Sequence, residues 1–350
     1  MSAQPAPHKT TLTPLHATQQ AKLQFATFGP PDVLVQVTED APVPGPGEVR
    51  IRVEASSVQF TDTLIRRGLY PDLKGEGPFT PGYDVVGRVD AVGSGASQWA
   101  VGDRVADLTM VSGNARYIVR PADGLVSVPE SVDAAEAATL VLSWVSAQQA
   151  IFRAGGLQPG ERLLIIGGNG AVGRAAIALG VAAGAEVYAT ASERHHDAIR
   201  AAGATPLPRD TWAEPVAALG GMDVVLDGVG VALFWTSYRA LRRGGRLVFI
   251  GGSAAAGRGS KAGIIAAFVV AMLLYPLLPD GRRTRLYSIT TLRKKHPDWF
   301  ATDLEALFGR LADGDIRPTV AERLRMEDVP DAHRRLEAGG LSGKLVLVPE

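Results

Sequence analysis

Leu163-Leu164-Ile165-Ile166-Gly167-Gly168-Asn169-Gly170-Ala171-Val172-Gly173 passes from four apolar residues into a spaced set of glycines, and the helix-forming stretch Arg174 to Ala183 follows. A short apolar run that ends on glycine reads as a buried strand. Gly168 permits a tight turn, Gly170 lets backbone N–H groups approach a pyrophosphate, and Gly173 lets the helix pack close to the strand. The start of the helix presents unpaired donors and the positive end of its dipole to phosphate. A lone GxGxxG is a weak signal. Here a strand precedes it, a helix follows it, and a second strand at Glu186 to Ala191 stands where a βαβ unit requires one. The stretch predicts a dinucleotide resting on Gly168, Asn169, Gly170, Ala171, Val172 and Gly173.

Working outward, alanine-rich helical windows alternate after Val132 with apolar strands at Val224 to Asp227 and Arg246 to Ile250. That alternation predicts an α/β region with a parallel sheet and helices on both faces. From Lys22 to about Arg120 the text is different: alternating runs such as Val49 to Ala55 and Tyr83 to Val92, broken by Pro44-Gly45-Pro46-Gly47, Pro81-Gly82 and Gly102-Asp103, read as strands and turns. Thr61 to Arg67 is the single short helix expected there. Beyond Pro297, helices are expected around Leu304 to Leu311 and Pro330 to Ala338, with a closing strand at Lys344 to Val348.

The chain has 350 residues, 46% hydrophobic and 21% charged, which suits two globular cores. Lys plus Arg balance Asp plus Glu at 36 each, so no global field draws the protein to nucleic acid. There is no cysteine, which excludes disulfides, thiolate metal sites and a cysteine nucleophile. Residues 1–20 are polar, lack the apolar region of a signal peptide and read as a disordered tail, so cytoplasmic residence is expected. The uncharged run Ala262 to Leu278, 17 residues, falls short of the roughly 20 needed to span a bilayer. It is expected to be a buried or pocket-lining helix; the alternative is an oligomer contact or a membrane-surface contact, with Arg282, Arg283 and Arg285 meeting lipid head groups.

The end of the second strand bears on the choice of cofactor. A site for NAD places an acid there for the ribose 2′-OH, but this chain has Ala191, followed by Ser192, Glu193, Arg194 and His195. Ser192, Arg194 and His195 are suited to a 2′-phosphate, because guanidinium grips phosphate oxygens in pairs. Glu193 argues the other way, and a solvated helix start explains the same residues without a ligand. NADPH is expected ahead of NADH.

Taken together, Pro44-Gly45-Pro46-Gly47-Glu48-Val49, Gly68-Leu69-Tyr70-Pro71, Pro81-Gly82-Tyr83-Asp84, Val101-Gly102-Asp103-Arg104-Val105, the glycine turn, Gly244-Gly245-Arg246-Leu247-Val248 and Gly343-Lys344-Leu345-Val346-Leu347 follow one another in the order of a known family. The chain resembles the medium-chain dehydrogenase/reductase superfamily, in its zinc-free quinone oxidoreductase or ζ-crystallin-like group. Pro279-Asp280-Gly281-Arg282 and Leu292 to Phe300 resemble a branch near the vesicle amine transport proteins. The resemblance implies a GroES-like β-rich domain at 21–142, completed by 292–350, and an inserted Rossmann domain with a doubly wound parallel sheet at 143–291.

Zinc-dependent relatives carry Gly-His-Glu where this chain has Gly82-Tyr83-Asp84, and they use cysteines that it lacks, so no zinc is expected. Tyr70 matches the tyrosine of similar enoyl reductases and is the expected proton donor. Gln59 and Asp62 match residues near the nicotinamide, with a helix cap as the alternative role of Asp62; Ser146 matches a nicotinamide-contacting Thr, and Gly251 joins the cofactor-binding residues. The implied activity is NADPH-dependent hydride transfer, without metal, to a quinone or an α,β-unsaturated carbonyl, by a homodimer. Gln59 in place of Asn, Gln148 in place of Tyr and the run Ala262 to Leu278 leave open a non-catalytic or membrane-peripheral NADPH-binding protein; an enoyl-thioester reductase of a biosynthetic pathway is a further alternative that differs only in its acceptor.

Overall fold

The computed structural model describes residues 19–70, 73, 75–230, 233–250 and 269–349. Six strands form one sheet in the spatial order Thr205–Pro208, Glu186–Ala191, Arg162–Ile166, Met222–Asp227, Leu241–Ile250, Arg283–Tyr287, and every neighbouring pair is parallel. In chain order the path runs outward from Arg162–Ile166 on one side and then restarts beside it with Met222–Asp227. This is the doubly wound pattern, whose ligand crevice lies beyond the strand ends at the reversal. Leu163, Leu164, Ile165 and Ile166 are all at most 2% exposed. Covered on both faces, such strands need continuous apolar residues rather than alternation. The helix Ala171–Ala182 buries Gly173, Ala175, Ala176 and Gly180 among others, and a Cβ on Gly180 would stand 2.9 Å from Leu163 and 3.0 Å from Val187. Small residues therefore set how closely the helix approaches the sheet.

The second sheet has seven strands and is mostly antiparallel. Glu48–Val58 lies at its centre, paired with Asp84–Val92 and Tyr117–Pro121. The strand Lys344–Leu347 returns from the far end of the chain to pair with Ser56, Ser57 and Val58, and Val320–Leu324 flanks it. Strands from the last part of the chain thus complete a sheet that Glu48–Val58 opens. Thus the β-rich sheet and the doubly wound α/β layer expected from the sequence are both present.

A helical run joins the two sheets. Ala134–Thr139 is α-helical, Leu140–Trp144 π-helical, Val145–Gln148 α-helical and Gln149–Ala154 π-helical. One apolar cluster passes from Val58 and Val86 through Ala138, Val141 and Val145 to Leu163 and Ile165. The sheets consequently share a core through this run, and π-helical turns of this kind recur at functional sites.

Two expectations are corrected. Gln19 and Gln20, assigned to the tail, belong to the strand Gln19–Gln24, paired with Val35–Asp40; Gln20 is buried, its amide donating to Glu39 at 2.9 Å and accepting from the Tyr117 N–H at 3.0 Å. A polar residue enters a strand interior when both ends of its amide are satisfied. The apolar run from 262 lies outside the described residues as far as 268. Over its described part Ala271 is buried, but Val269, Leu273 and Leu277 are 49%, 62% and 76% exposed. Met272 and Tyr275 pack partly against the core, so that part is an element with one face inward and one outward rather than a buried helix. Among the described residues, no helix is long and apolar enough to cross a membrane.

Candidate active site

The strand Arg162–Ile166 ends on Gly167, whose φ of +93° suits glycine. The turn is tied to the neighbouring strand: Gly167 N–H donates to Thr190 Oγ1 at 3.1 Å and Gly168 N–H to the Thr190 carbonyl at 2.9 Å. A Cβ on Gly168 would stand 2.7 Å from the Ala189 Cβ, and one on Gly173 would stand 2.3 Å from the Gly167 carbonyl oxygen. Both glycines are needed for close packing, as their spacing implies. Gly170 caps the helix without a side chain. Asp133 and Ser288, by contrast, accept hydrogen bonds from the first turns of their helices. The opening N–H groups at Ala171 and Val172 are left for an external acceptor.

Beside this turn lies the end of the strand Glu186–Ala191. Ser192 Oγ is buried and has no hydrogen-bond partner, an orphan where a cofactor ribose belongs. The buried His195 accepts at Nε2 from Asn169 Nδ2 at 3.1 Å and from Arg194 Nε at 3.2 Å. Burial, followed by the charges of Arg194, Arg174 and Arg209, lowers the His195 pKa, so the ring is neutral near pH 7. A partnerless hydroxyl and a cluster of cations around an uncapped helix start fit a dinucleotide. The cleft at the turn holds about 300 Å³ and is lined by Gly168, Asn169, Ala171, Arg174, Ser143 and Lys344, among others.

The β-rich side contributes a closed set of charges. Lys344 donates through Nζ to Gln59 Oε1, and Gln59 Nε2 donates to Asp84 Oδ2 at 2.6 Å. Asp84 also accepts from the N–H and hydroxyl of Ser57 at 2.7 and 2.9 Å. Asp62 accepts from the Gln59 N–H at 2.7 Å and from the Gly82 N–H at 3.1 Å, which joins the start of the helix Phe60–Arg66 to the turn before Tyr83. Burial raises the Asp62 pKa to about 7, with a smaller push from Asp84, and burial also raises that of Asp84. Burial lowers the Lys344 pKa to about 8 against the pull of both carboxylates. Asp62 and Lys344 thus titrate near neutrality within one dry network, a hallmark of functional sites.

Tyr70 is half-buried, and its hydroxyl lies 2.5 Å from that of the buried Tyr83, the rings perpendicular at 88°. Ser146 is buried farther along the helical run, near Tyr287, whose hydroxyl donates to Gln149 Oε1 at 3.1 Å. Gln59 and Asp62 therefore stand together, Tyr70 meets the same turn through Tyr83, Ser146 sits apart from them, and Gly251 lies outside the described residues. Two residues went unassigned in the sequence. Lys344 was legible only as part of an apolar closing strand, and Arg174 only as a helix former. A cation in the first turn of a helix, where the dipole disfavours it, was the available signal for Arg174. Among the described residues, no group of three or more His, Asp or Glu side chains converges as a metal site would.

Nearby, Met110 and Ser112 adopt φ of +69° and +83°, a left-handed conformation that non-glycine residues rarely adopt. Their segment runs against Gly82, with Ser112 N–H donating to the Thr80 carbonyl at 2.8 Å and Gly113 N–H to that of Gly82 at 3.0 Å. Strain of this kind clusters at ligand sites.

Comparison with known proteins agrees with this construction. Residues 45–130 match the alcohol dehydrogenase GroES-like domain, and residues 202–347 match a domain described as zinc-binding dehydrogenase. The chain is 30% identical to a quinone oxidoreductase of Pseudomonas aeruginosa over 94% of its own length and 99% of the relative. It is 31% identical to the rat synaptic vesicle membrane protein VAT-1 homolog, covering 88% of this chain and 78% of that protein. It also matches polyketide synthases, but spans only 16% and 5% of the length of two of them. The crystal structure of the CurK enoyl reductase superposes with a TM-score of 0.81 at 26% identity, over 95% of this chain and 99% of that one. The chain is a medium-chain dehydrogenase/reductase, in the group that holds the quinone oxidoreductases and the VAT-1 homologs.

Proposed function

We propose that this protein is an NADPH-dependent reductase that delivers hydride to a quinone or an α,β-unsaturated carbonyl. The observation that carries the reading is the buried, partnerless Ser192 hydroxyl beside Arg194 and the uncapped glycine turn, at a strand end where Ala191 replaces the acid of an NAD site. Gly168 to Gly173 hold the pyrophosphate through backbone donors, and Ser192 and Arg194 hold the 2′-phosphate. The bound nicotinamide supplies a hydride.

The protein's own residues manage the proton and the orientation. Tyr70 carries a proton on its hydroxyl, held in place by the Tyr83 hydroxyl. Gln59 and Asp62 present an amide and a carboxyl on one rigid helix start, and Lys344 keeps that amide turned toward Asp84. With no set of zinc ligands at Gly82-Tyr83-Asp84, the acceptor has to be electrophilic already, as quinones and enones are. Among the described residues Arg283–Tyr287 is an edge strand, and with Leu286 exposed it supports a homodimer through that edge.

NADPH oxidation against a panel of quinones, enals and enoyl thioesters tests the reading. Turnover is expected with quinones or enals, and Tyr70→Phe is expected to lower the enal rate by roughly 10²-fold, the scale of general-acid catalysis. Turnover confined to enoyl thioesters assigns the biosynthetic acceptor instead. Clear NADPH binding with no turnover on any substrate refutes the reductase and leaves a binding protein.

A further inference from the structure

Two arginines elsewhere in the nucleotide-binding layer are matched to acids. Arg246 grips Glu161 through both terminal nitrogens, at 2.8 and 2.5 Å, and Arg162 meets Glu186 at 3.2 Å. Arg174, Arg194 and Arg209 differ. Each adds a positive charge felt by His195, and none of them pairs with a carboxylate among the described residues. Arg174 is partly buried as well, with Nε donating to the Asn169 carbonyl at 3.0 Å and Nη2 reaching Asn169 Oδ1 at 2.5 Å and Ser342 Oγ at 3.1 Å. These acceptors are neutral. A half-desolvated guanidinium in the first turn of a helix, among other cations and without an acid, is costly unless an anion completes it.

The geometry points to a two-arginine pocket for the cofactor's 2′-phosphate, in which Arg174 joins Arg194 beside His195; we propose that Arg174 is a specificity-determining residue for NADPH. This rests on the reading that the cofactor is NADPH. Asn169 links the members physically, since its side chain touches both Arg174 and His195. Helical side chains lean toward the N-terminus, which carries the Arg174 guanidinium back over Asn169 and so toward the end of the strand Glu186–Ala191. Phosphate there replaces two neutral acceptors with charged oxygens, the stronger and shorter kind of hydrogen bond. Ser342 and Asn169 hold the guanidinium near its working position in the meantime.

Calorimetric titration of the full chain with NADPH and with NADH tests this on the wild type and on R174Q and R174K. R174Q is expected to weaken NADPH by roughly tenfold or more while changing NADH by less than about threefold, the loss of one charge-assisted contact. R174K keeps more of the preference than R174Q. Equal losses for both cofactors in R174Q overturn the proposal, because Arg174 then serves the pyrophosphate or the fold. An R174Q variant that keeps the full wild-type preference overturns it too. A wild type that binds NADH as tightly as NADPH instead defeats the underlying choice of cofactor, so the two failures are distinguishable.

Discussion

Two charged regions border the same cleft and are built in opposite ways. Around the glycine turn, Arg174 and Arg194 bond only to neutral groups, and the Ser192 hydroxyl bonds to nothing. In the β-rich domain, Asp62, Asp84, Gln59 and Lys344 are closed on one another, each of them less than a tenth exposed. The first region has donors in excess and can be completed only from outside. The second is already satisfied, and burial holds the Asp62 carboxyl and the Lys344 amine near the point of proton exchange. One side is shaped to bind an anion and the other to hold protons, a division of labour that a hydride-transfer enzyme requires.

Gly173→Ala should separate the two most sharply. Its Cβ would collide with the Gly167 carbonyl, backbone that cannot step aside, so NADPH is expected to lose its ability to raise the melting temperature altogether. Retained protection by NADPH would show that the turn is not the cofactor site. Next in size is Lys344→Met, which leaves two buried carboxyls without their cation. A loss of about 3–5 kcal/mol in urea unfolding is expected, the scale for breaking a buried pair. A change below about 1 kcal/mol would mean the network is not held by charge.

Asp62→Asn has the smallest effect and a defined sign. The folded-state pKa of about 7 lies above the ordinary 3.8, so the carboxyl's contribution to stability is present at low pH and is lost as pH rises between those values. The melting temperature of the variant minus that of the wild type should therefore rise from pH 4 to pH 7. A flat difference would mean that Asp62 titrates normally.

How much was legible follows from how far apart the interacting residues lie in the chain. The glycine turn could be read because strand, turn and helix are consecutive, and the steric demands on Gly168 and Gly173 come from residues close at hand or on the next strand. Gln59 and Asp62 were reached only through family resemblance. Their partner Lys344 lies 285 residues from Gln59, and no local pattern signals that a lysine opening a buried strand turns inward to an amide. Arg174 meets Ser342 across 168 residues for the same reason. Gln20 was misread because its amide is satisfied by Glu39 and Tyr117, and polarity alone does not report on partners. The segment 269–278 was misread because an apolar run has no preferred side until its neighbours are known.

The loop Gly339-Gly340-Leu341-Ser342-Gly343 carries φ of +74°, +87° and +110° at its three glycines. Ser342 holds the Arg174 guanidinium, Gly340 lies against that of Arg194, and the next residue after Gly343 is Lys344. In the proposed NADPH complex, a phosphate that draws Arg174 away from Ser342 and a proton that leaves Lys344 would act on one short, glycine-hinged span of chain. Thermodynamic reciprocity makes the traffic two-way: whatever the anion does to the proton affinity of the lysine, the proton does in equal measure to the affinity for the anion.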